Sequence, residues 1–201
     1  MWMVPPCARV LAAAGAAVVV AARRAERLAE LSGEIRAAGG RAHAVGLDVT
    51  DPSSVAAAFA TGMAELGPIT ILVNAAGTAA SVPFTDISEA DWRRVLDVNL
   101  DGVFRLAQAG ARHMQAHGQG GSIVNVASVL GLGVAKKVSA YAVSKAAVVQ
   151  LTRAMALELA RDRIRVNALA PGYFPSEMTA GYLASEDGKR VIARFPMARA
   201  G

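Results

Sequence analysis

The sequence is poor in cysteine, in aromatic residues and in charged residues. Cys7 is the one cysteine among 201 residues, which rules out an internal disulfide and fits a reducing compartment. Charged residues make up 18% of the chain and aromatic residues 5%, whereas 54% are hydrophobic. Disordered chains combine low hydrophobicity with high net charge, so this composition excludes disorder and favours a folded domain with an aliphatic core.

Long hydrophobic runs are also absent. The longest apolar stretch, Val10 to Ala22, has thirteen residues, which is too short to span a bilayer. A secretory signal peptide is the alternative interpretation of this stretch, but its basic head is missing, because residues 1–8 contain no lysine or arginine. We therefore predict a cytoplasmic protein with no membrane partner.

The net charge of +5 is small and is not gathered into a basic run. Nucleic-acid binding calls for clustered positive charge or aromatic stacking platforms, so we predict no nucleic-acid partner. The three histidines, His43, His113 and His117, lack metal-ligand spacing with carboxylates or thiols. We therefore predict no metal site.

Short β-branched runs alternate with longer segments of helical spacing along the whole chain. The runs predict buried strands at Ala17–Ala22, Ala42–Asp48, Ile69–Val73, Ser122–Val126 and Ile164–Ala168. The segments between them predict helices over Ala25–Ala38, from Asp51-Pro52 to Leu66, from Ser88 to His117, and over Ser139–Ala160. This alternation predicts one α/β domain, residues 1–201, with a doubly wound parallel sheet flanked by helices. The segment from Tyr173 to Gly188 is predicted to be irregular.

Tyr141 and Lys145 stand four residues apart in a predicted helix, so the phenol and the ammonium lie on one face. A phenol has a pKa near 10, and a neighbouring cation lowers that pKa and makes the group useful for proton transfer. This pair alone is weak evidence, since it is common on solvated helices. Ser128 strengthens it, because this hydroxyl follows a predicted strand at the edge where doubly wound sheets bind ligands.

The chain resembles the short-chain dehydrogenases/reductases at several motifs that occur in the family's order. These motifs are Asn74-Ala75-Ala76-Gly77, Asn99, Ser128, Tyr141 with Lys145, and Pro171-Gly172. The resemblance extends from about Ala8 to Gly201. It implies a Rossmann-like fold and hydride transfer between a nicotinamide cofactor and the carbon of a small carbonyl or alcohol substrate.

The resemblance also implies a role for each matching residue. Tyr141 is expected to act as acid and base, Ser128 to orient the substrate oxygen, Lys145 to lower the tyrosine pKa and bind the nicotinamide ribose, and Asn99 to hold a water through its main chain. The remaining cofactor contacts are expected at Asp48 and Val49 (adenine), Asn74, Ala75 and Gly77 (adenosine side and central sheet), and Pro171, Gly172 and Ser176 (nicotinamide).

The residues after the second strand distinguish NAD from NADP as the cofactor. NAD enzymes of this architecture place an acidic residue after the second strand, whereas NADP enzymes use arginine to bind the 2′-phosphate. The corresponding strand here ends in Ala22-Arg23-Arg24, without an acid. We predict NADP rather than NAD, with Arg23 as the first contact and Arg24 as the second; the alternative is that Arg24 only faces solvent.

The family's glycine-rich phosphate turn, its first strand and its final edge strand have no counterpart in the sequence. We therefore expect an N- and C-terminally incomplete member that binds NADP weakly. The alternative is a non-catalytic relative that acts only as an oligomerising or binding module. A homodimer or homotetramer through Ser88–His117 and Ser139–Ala160 is expected from the resemblance, and substrate choice is expected to depend on Val129–Val138 and Tyr173–Gly188.

Overall fold

A computed structural model describes residues 4–176 and 179–201 of the chain. Helices and strands alternate through most of it, as the hydrophobic pattern predicts. The helices are α1 (Val4–Ala13), α2 (Ala25–Ala37), α3 (Pro52–Leu66), α4 (Glu89–Leu96), α5 (Gly102–His117), α6 (Ser139–Glu158), α7 (Ala180–Ala184) and α8 (Glu186–Ile192). The strands are β1 (Ala17–Ala22), β2 (Arg41–Gly46), β3 (Ile71–Asn74), β4 (Gly121–Val126) and β5 (Ile164–Leu169).

The helix starts follow from local capping. The Asp51 carboxylate accepts the Ser53 N–H at 2.8 Å, and Pro52 occupies the first turn of α3, where no N–H is needed. The Ser88 hydroxyl accepts the Asp91 N–H at 3.0 Å at the start of α4. Both caps confirm the predicted helix starts.

Every strand pairing is parallel, which confirms the predicted sheet type, but the pairings form two sheets rather than one. Strand β1 pairs with β2, and the second sheet has the order β3-β4-β5. Among the described residues no strand joins β1 to β3, so each leaves one edge without a hydrogen-bonded neighbour. The hydrophobic pattern predicts strands one at a time and carries no information about which strands become neighbours.

The helix layer joins the two sheets. Helix α3 packs against β1 at Gly62, where an added Cβ would lie 3.0 Å from Val19. Helix α5 packs against β3 at Gly110, where a Cβ would lie 2.7 Å from Leu72 and 3.6 Å from the Phe59 ring of α3. Glycine at these two places lets each helix approach its strand closely, and the two helices share one hydrophobic cluster.

Two further differences from the predicted elements have local causes. The helix predicted from Ser88 to His117 is interrupted by a π-helical turn, Asp97–Asp101, between α4 and α5. Part of the segment predicted to be irregular, Tyr173 to Gly188, forms α7 and the start of α8, and the Ser185 hydroxyl caps α8 by accepting the Gly188 N–H at 3.1 Å. Residues 177 and 178 of that segment lie outside the described residues.

None of the helices described here is long and apolar enough to cross a membrane.

Candidate active site

Three neighbouring parallel strands end at one edge of the second sheet, and the candidate catalytic residues follow them. Asn74 ends β3, Ser128 follows β4, and Pro171-Gly172 follow β5. The loops after β4 and β5 are held together, since the Val129 N–H donates to the Pro171 carbonyl at 2.9 Å. This edge is where doubly wound sheets bind their ligands.

Ser128, Tyr141 and Lys145 meet at this edge. Ser128 is 8% exposed, and its hydroxyl faces the Tyr141 phenol closely enough to lower the phenol's pKa. The Lys145 Nζ lies 5.8 Å from the centre of the Tyr141 ring. Gly77 is close to this group, because an added Cβ there would lie 3.7 Å from the Lys145 Nζ. Residues from three separate segments of the chain thus meet around Lys145.

The pKa of Tyr141 differs from the sequence expectation. Burial raises it above its ordinary value, and the hydrogen bond from Ser128 lowers it by less. The expected lowering by Lys145 is not found in this structure. The ammonium of Lys145 instead donates to the Val126 carbonyl at 2.7 Å, and burial lowers its own pKa to about 8.

Asn99 fastens the loop after β3 to the catalytic helix. Its Oδ1 accepts the Thr78 N–H at 2.7 Å, and its Nδ2 donates to the Thr78 carbonyl at 2.9 Å and to the Ser144 hydroxyl at 3.0 Å. The Ser144 hydroxyl in turn donates to the Tyr141 carbonyl at 2.7 Å. Both N–H bonds of the Asn99 amide are used in this way, and its Oδ1 accepts one hydrogen bond. The residue lies in the π-helical turn, a feature common at functional sites.

Asn74 stabilises the sheet. Its Nδ2 donates to the Asn125 Oδ1 at 2.8 Å, the Asn125 Nδ2 donates to the Thr152 hydroxyl of α6 at 2.9 Å, and that hydroxyl donates to the Val148 carbonyl at 2.7 Å. The Asn74 Oδ1 is buried and has no hydrogen-bond partner among the described groups. Sequence reasoning missed Asn125, Thr152 and Ser144, since a polar residue in an apolar helix or strand gives no sign of its partner.

The predicted adenine contacts lie at the carboxyl ends of β1 and β2. The Leu47 N–H donates to the Ala22 carbonyl at 2.9 Å and keeps these ends together. The Asp48 carboxylate accepts the Thr50 N–H and hydroxyl at 2.9 and 2.7 Å, which lowers its pKa, and the charge of Arg23 lowers the pKa further. Val49 is 8% exposed. Arg24 occupies the N-cap position of α2, where its side chain is exposed.

The remaining predicted contacts are spread along the same edge. Ala75 follows β3 and is half-buried, and Gly172 is exposed. The Ser176 hydroxyl shares a hydrogen bond of 2.8 Å with the Thr179 hydroxyl and accepts the Thr179 N–H at 3.2 Å. Ser176 therefore stabilises the turn before α7 in this structure.

Tyr173 is a feature of the site that sequence reasoning missed. Its ring stacks on Tyr182 with centroids 5.7 Å apart, and the Phe195 ring lies 5.9 Å away. Burial raises the pKa of Tyr173, and the neighbouring Tyr182 and the charge of Tyr141 raise it further. One signal in the sequence could have indicated Tyr173: it is an aromatic residue directly after Pro171-Gly172, in a chain with few aromatic residues.

In the described ranges, no three His, Cys, Asp or Glu side chains lie close enough together to hold a metal ion.

Comparison with known proteins identifies the family of the chain. The family description "short chain dehydrogenase" matches residues 6–187. The chain belongs to the short-chain dehydrogenase family.

Two curated relatives illustrate the range of this family. The chain is 42% identical over 193 residues to cis-4-hydroxycyclohexanecarboxylate dehydrogenase of Sinomonas cyclohexanicum, covering 96% of this chain and 76% of the relative. It is 43% identical over 200 residues to galactitol 2-dehydrogenase of Rhizobium johnstonii, covering 97% and 77%. With two other curated relatives the matched stretch is shorter, 165 and 168 residues, and spans 63% of their length.

A solved structure gives the same fold. The crystal structure of a gluconate 5-dehydrogenase from Burkholderia cenocepacia, in complex with NADP and tartrate, superposes with a TM-score of 0.91 at 39% identity. The superposition covers 96% of this chain and 76% of that one. The Rossmann-like architecture expected from the resemblance is therefore confirmed.

The buried ammonium of Lys145 makes stability depend on pH. Because the pKa of Lys145 is about 8 in the folded chain against 10.5 ordinarily, the unfolded chain binds more protons between these values, and stability rises with pH there. Lys145→Met removes this dependence. We expect the unfolding free energy of the wild type to rise relative to that of the variant between pH 8 and pH 10. Over the whole interval between the two pKa values, this rise is on the order of 3 kcal/mol. Urea unfolding at the two pH values measures it.

The control for this measurement is Lys189→Met, which removes an ammonium that is 62% exposed. A difference between wild type and Lys145→Met that stays constant from pH 8 to pH 10 would contradict the described environment of Lys145.

Proposed function

We propose that this short-chain dehydrogenase is an NADP-dependent oxidoreductase that interconverts a small secondary alcohol and the corresponding carbonyl compound. The observation that carries the proposal is the meeting of three groups at one sheet edge: the buried Lys145 ammonium lies 5.8 Å from the centre of the Tyr141 ring, and the buried Ser128 hydroxyl faces the same phenol. A hydroxyl, a phenol and a cation in this arrangement bind a carbonyl oxygen and deliver a proton to it.

The residues present fit a nicotinamide cofactor at both ends of the site. The Lys145 Nζ uses one of its three N–H groups on the Val126 carbonyl, which leaves donors for ribose hydroxyls. At the other end, Asp48, Val49 and Arg23 stand together after β1 and β2 and suit an adenine and its phosphorylated ribose. The cofactor, when bound, supplies or accepts the hydride.

In the reducing direction, the substrate carbonyl oxygen accepts hydrogen bonds from the Ser128 and Tyr141 hydroxyls. As the carbonyl carbon gains a hydride, negative charge develops on this oxygen, and Tyr141 transfers its proton there to give the alcohol. The raised pKa of Tyr141 suits this step, since the phenol still carries its proton at neutral pH. The oxidising direction needs the Tyr141 phenolate to accept the alcohol proton, and because burial raises the pKa of Tyr141, we expect oxidation to be favoured at alkaline pH.

We expect the protein to prefer NADP to NAD because the adenosine end of the site is positively charged. No acidic side chain follows β1, where Arg23 and Arg24 stand instead. A solved relative from Burkholderia cenocepacia, 39% identical, was crystallised with NADP. We assign the 2′-phosphate first to Arg23, whose charge already acts on Asp48.

The substrate class is a hydroxyl-bearing or carbonyl-bearing small molecule. Relatives are named for 4-hydroxycyclohexanecarboxylate, gluconate and galactitol, which share a secondary alcohol but differ in carbon skeleton, one being a ring and two being open polyol chains. The aromatic cluster of Tyr173, Tyr182 and Phe195 offers an apolar wall beside Tyr141.

We further propose that the protein forms a homo-oligomer through α5 and α6. Phe104 of α5 is 46% exposed, and Val143 and Leu157 of α6 are 48% and 81% exposed. Large apolar side chains on two long helices of one chain are typical of a self-association surface.

Tyr141→Phe removes the proton donor and keeps the ring. We expect kcat with NADPH and a ketone substrate to fall about 10²- to 10⁴-fold, while the Kd for NADPH changes less than threefold, because the lost hydroxyl acts on the substrate oxygen. Steady-state kinetics and nicotinamide fluorescence measure the two quantities. Gln150→Ala, on the exposed face of the same helix, is the control. Unchanged turnover by Tyr141→Phe refutes this role, and a folded wild type without turnover favours the non-catalytic alternative.

Arg23→Ser removes the first phosphate contact. The ratio of kcat/KM with NADPH to that with NADH should fall about 10- to 100-fold, since one charge-assisted hydrogen bond contributes about 1.5–3 kcal/mol. Arg41→Ser, at the opposite end of β2, serves as the control and should leave the ratio within twofold. A wild type that prefers NADH, or an Arg23 variant with an unchanged ratio, would show that this assignment is wrong.

Phe104→Lys and Val143→Lys place a charge on the proposed contact surface. Light scattering after size-exclusion chromatography should give a mass of two or four chains for wild type and a smaller mass for both variants, because a buried unpaired ammonium opposes association. Phe84→Lys, at a position 74% exposed in another part of the chain, should keep the wild-type mass. A wild type that elutes at 20.7 kDa disproves the oligomer.

A further inference from the structure

Arg105 joins the two ends of the candidate site. This residue lies in the first turn of α5, and its Nη1 donates to the Asp97 carboxylate at 2.8 Å and to the Val49 carbonyl at 3.2 Å. Val49 belongs to the adenine end, whereas Asp97 begins the π-helical turn that holds Asn99. One guanidinium nitrogen therefore contacts a backbone group of one end and a side chain of the other.

A second contact supports the same junction. Gly102, at the start of α5, packs directly under Val49, because an added Cβ there would lie 2.7 Å from the Val49 Cγ2. Val49 also shares a hydrophobic cluster with Leu106 of α5. The Val49 side chain thus rests on α5 while its carbonyl is held by Arg105.

Each of the two segments joined by Arg105 is held by further hydrogen bonds. In the loop after β2, the Asp48 N–H donates to the Ser54 hydroxyl at 2.9 Å and the Asp48 carboxylate holds Thr50. In the π-helical turn, Asn99 is fully buried and holds Thr78. A shift of either segment relative to the other therefore moves a whole group of candidate contacts rather than one side chain.

We propose that Arg105 is a positioning residue that fixes the adenine loop, residues 48–51, against the π-helical turn that carries Asn99. Arg105 itself touches neither substrate nor cofactor. Its consequence for cofactor binding rests on the proposed function, whereas the coupling of the two segments does not.

The chemistry of the contact explains why arginine suits this position. The Arg105 side chain is 25% exposed and the Asp97 side chain 41%, so their ion pair alone contributes little to stability. The Nη1 group carries two N–H bonds in a fixed plane, and they point to two acceptors at once. A lysine keeps the charge but lacks this planar arrangement, so it replaces arginine only in part.

Hydrogen exchange of the cofactor-free full chain tests the coupling. In Arg105→Met we expect the amides of residues 48–51 and 97–101 to exchange about tenfold faster than in wild type, with β4 and α6 unchanged. Arg105→Lys should fall between the two. The matched control, Arg112→Met, removes an exposed arginine from the same helix and should change neither segment.

Asp97→Asn separates the two contacts of Arg105. It weakens the bond to the π-helical turn and leaves the bond to the Val49 carbonyl, so residues 97–101 should be affected more than residues 48–51. Faster exchange along all of α5 in Arg105→Met, or no change in either segment, overturns the proposal, because the first result indicates a general structural role and the second indicates no coupling.

Nicotinamide fluorescence supplies the readout that depends on the proposed function. The Kd for NADPH should rise about tenfold in Arg105→Met and stay within twofold in Arg112→Met, while kcat at saturating NADPH changes less than threefold. If wild type fails to bind NADPH, the proposed function fails, and hydrogen exchange still decides the role of Arg105. An unchanged Kd in Arg105→Met beside a binding wild type overturns the consequence for the cofactor.

Discussion

The bond from the buried Lys145 ammonium to the Val126 carbonyl is the contact on which the catalytic half of the molecule depends. It fastens α6 to the end of β4, and the bond from Asn125 to Thr152 fastens the same helix seven residues further along, two turns away on the same face. Both tethers are buried, where a hydrogen bond is strong and an unpaired partner is costly. Together they hold the Tyr141 phenol beside Ser128 at the sheet edge.

The same arrangement has an energetic cost that function explains. An ammonium that is 3% exposed and meets one carbonyl is an unfavourable use of a core position, as its lowered pKa shows. A buried residue selected only for packing would be apolar here, like Val148 on the next turn. A buried charge that is costlier than an apolar residue at the same position is typical of residues kept for chemistry.

Sequence reasoning succeeded where the signal is local. The strands were predicted to within about two residues, since a β-branched run between turn residues needs no distant information, and the caps at Asp51 and Ser88 were predicted from side-chain chemistry alone. It failed where the outcome depends on residues far apart in sequence. The division into two sheets, the π-helical turn, and the partners of Asn125 and Ser144 all arise from tertiary packing. The raised pKa of Tyr141 belongs to the same group, because burial is a property of the fold and not of the motif.

Transfer of deuterium from NADPH labelled with two deuterium atoms at C4 tests the central claim most directly. The full chain is incubated with the labelled cofactor and with the ketones that correspond to the alcohols of its relatives, such as 4-oxocyclohexanecarboxylate and 5-oxogluconate, and the alcohols are analysed by mass spectrometry. The account predicts one deuterium on the carbinol carbon of a product, formed by wild type and almost absent with Tyr141→Phe. A folded protein that forms no alcohol above the uncatalysed background, or an alcohol without deuterium on that carbon, would contradict it.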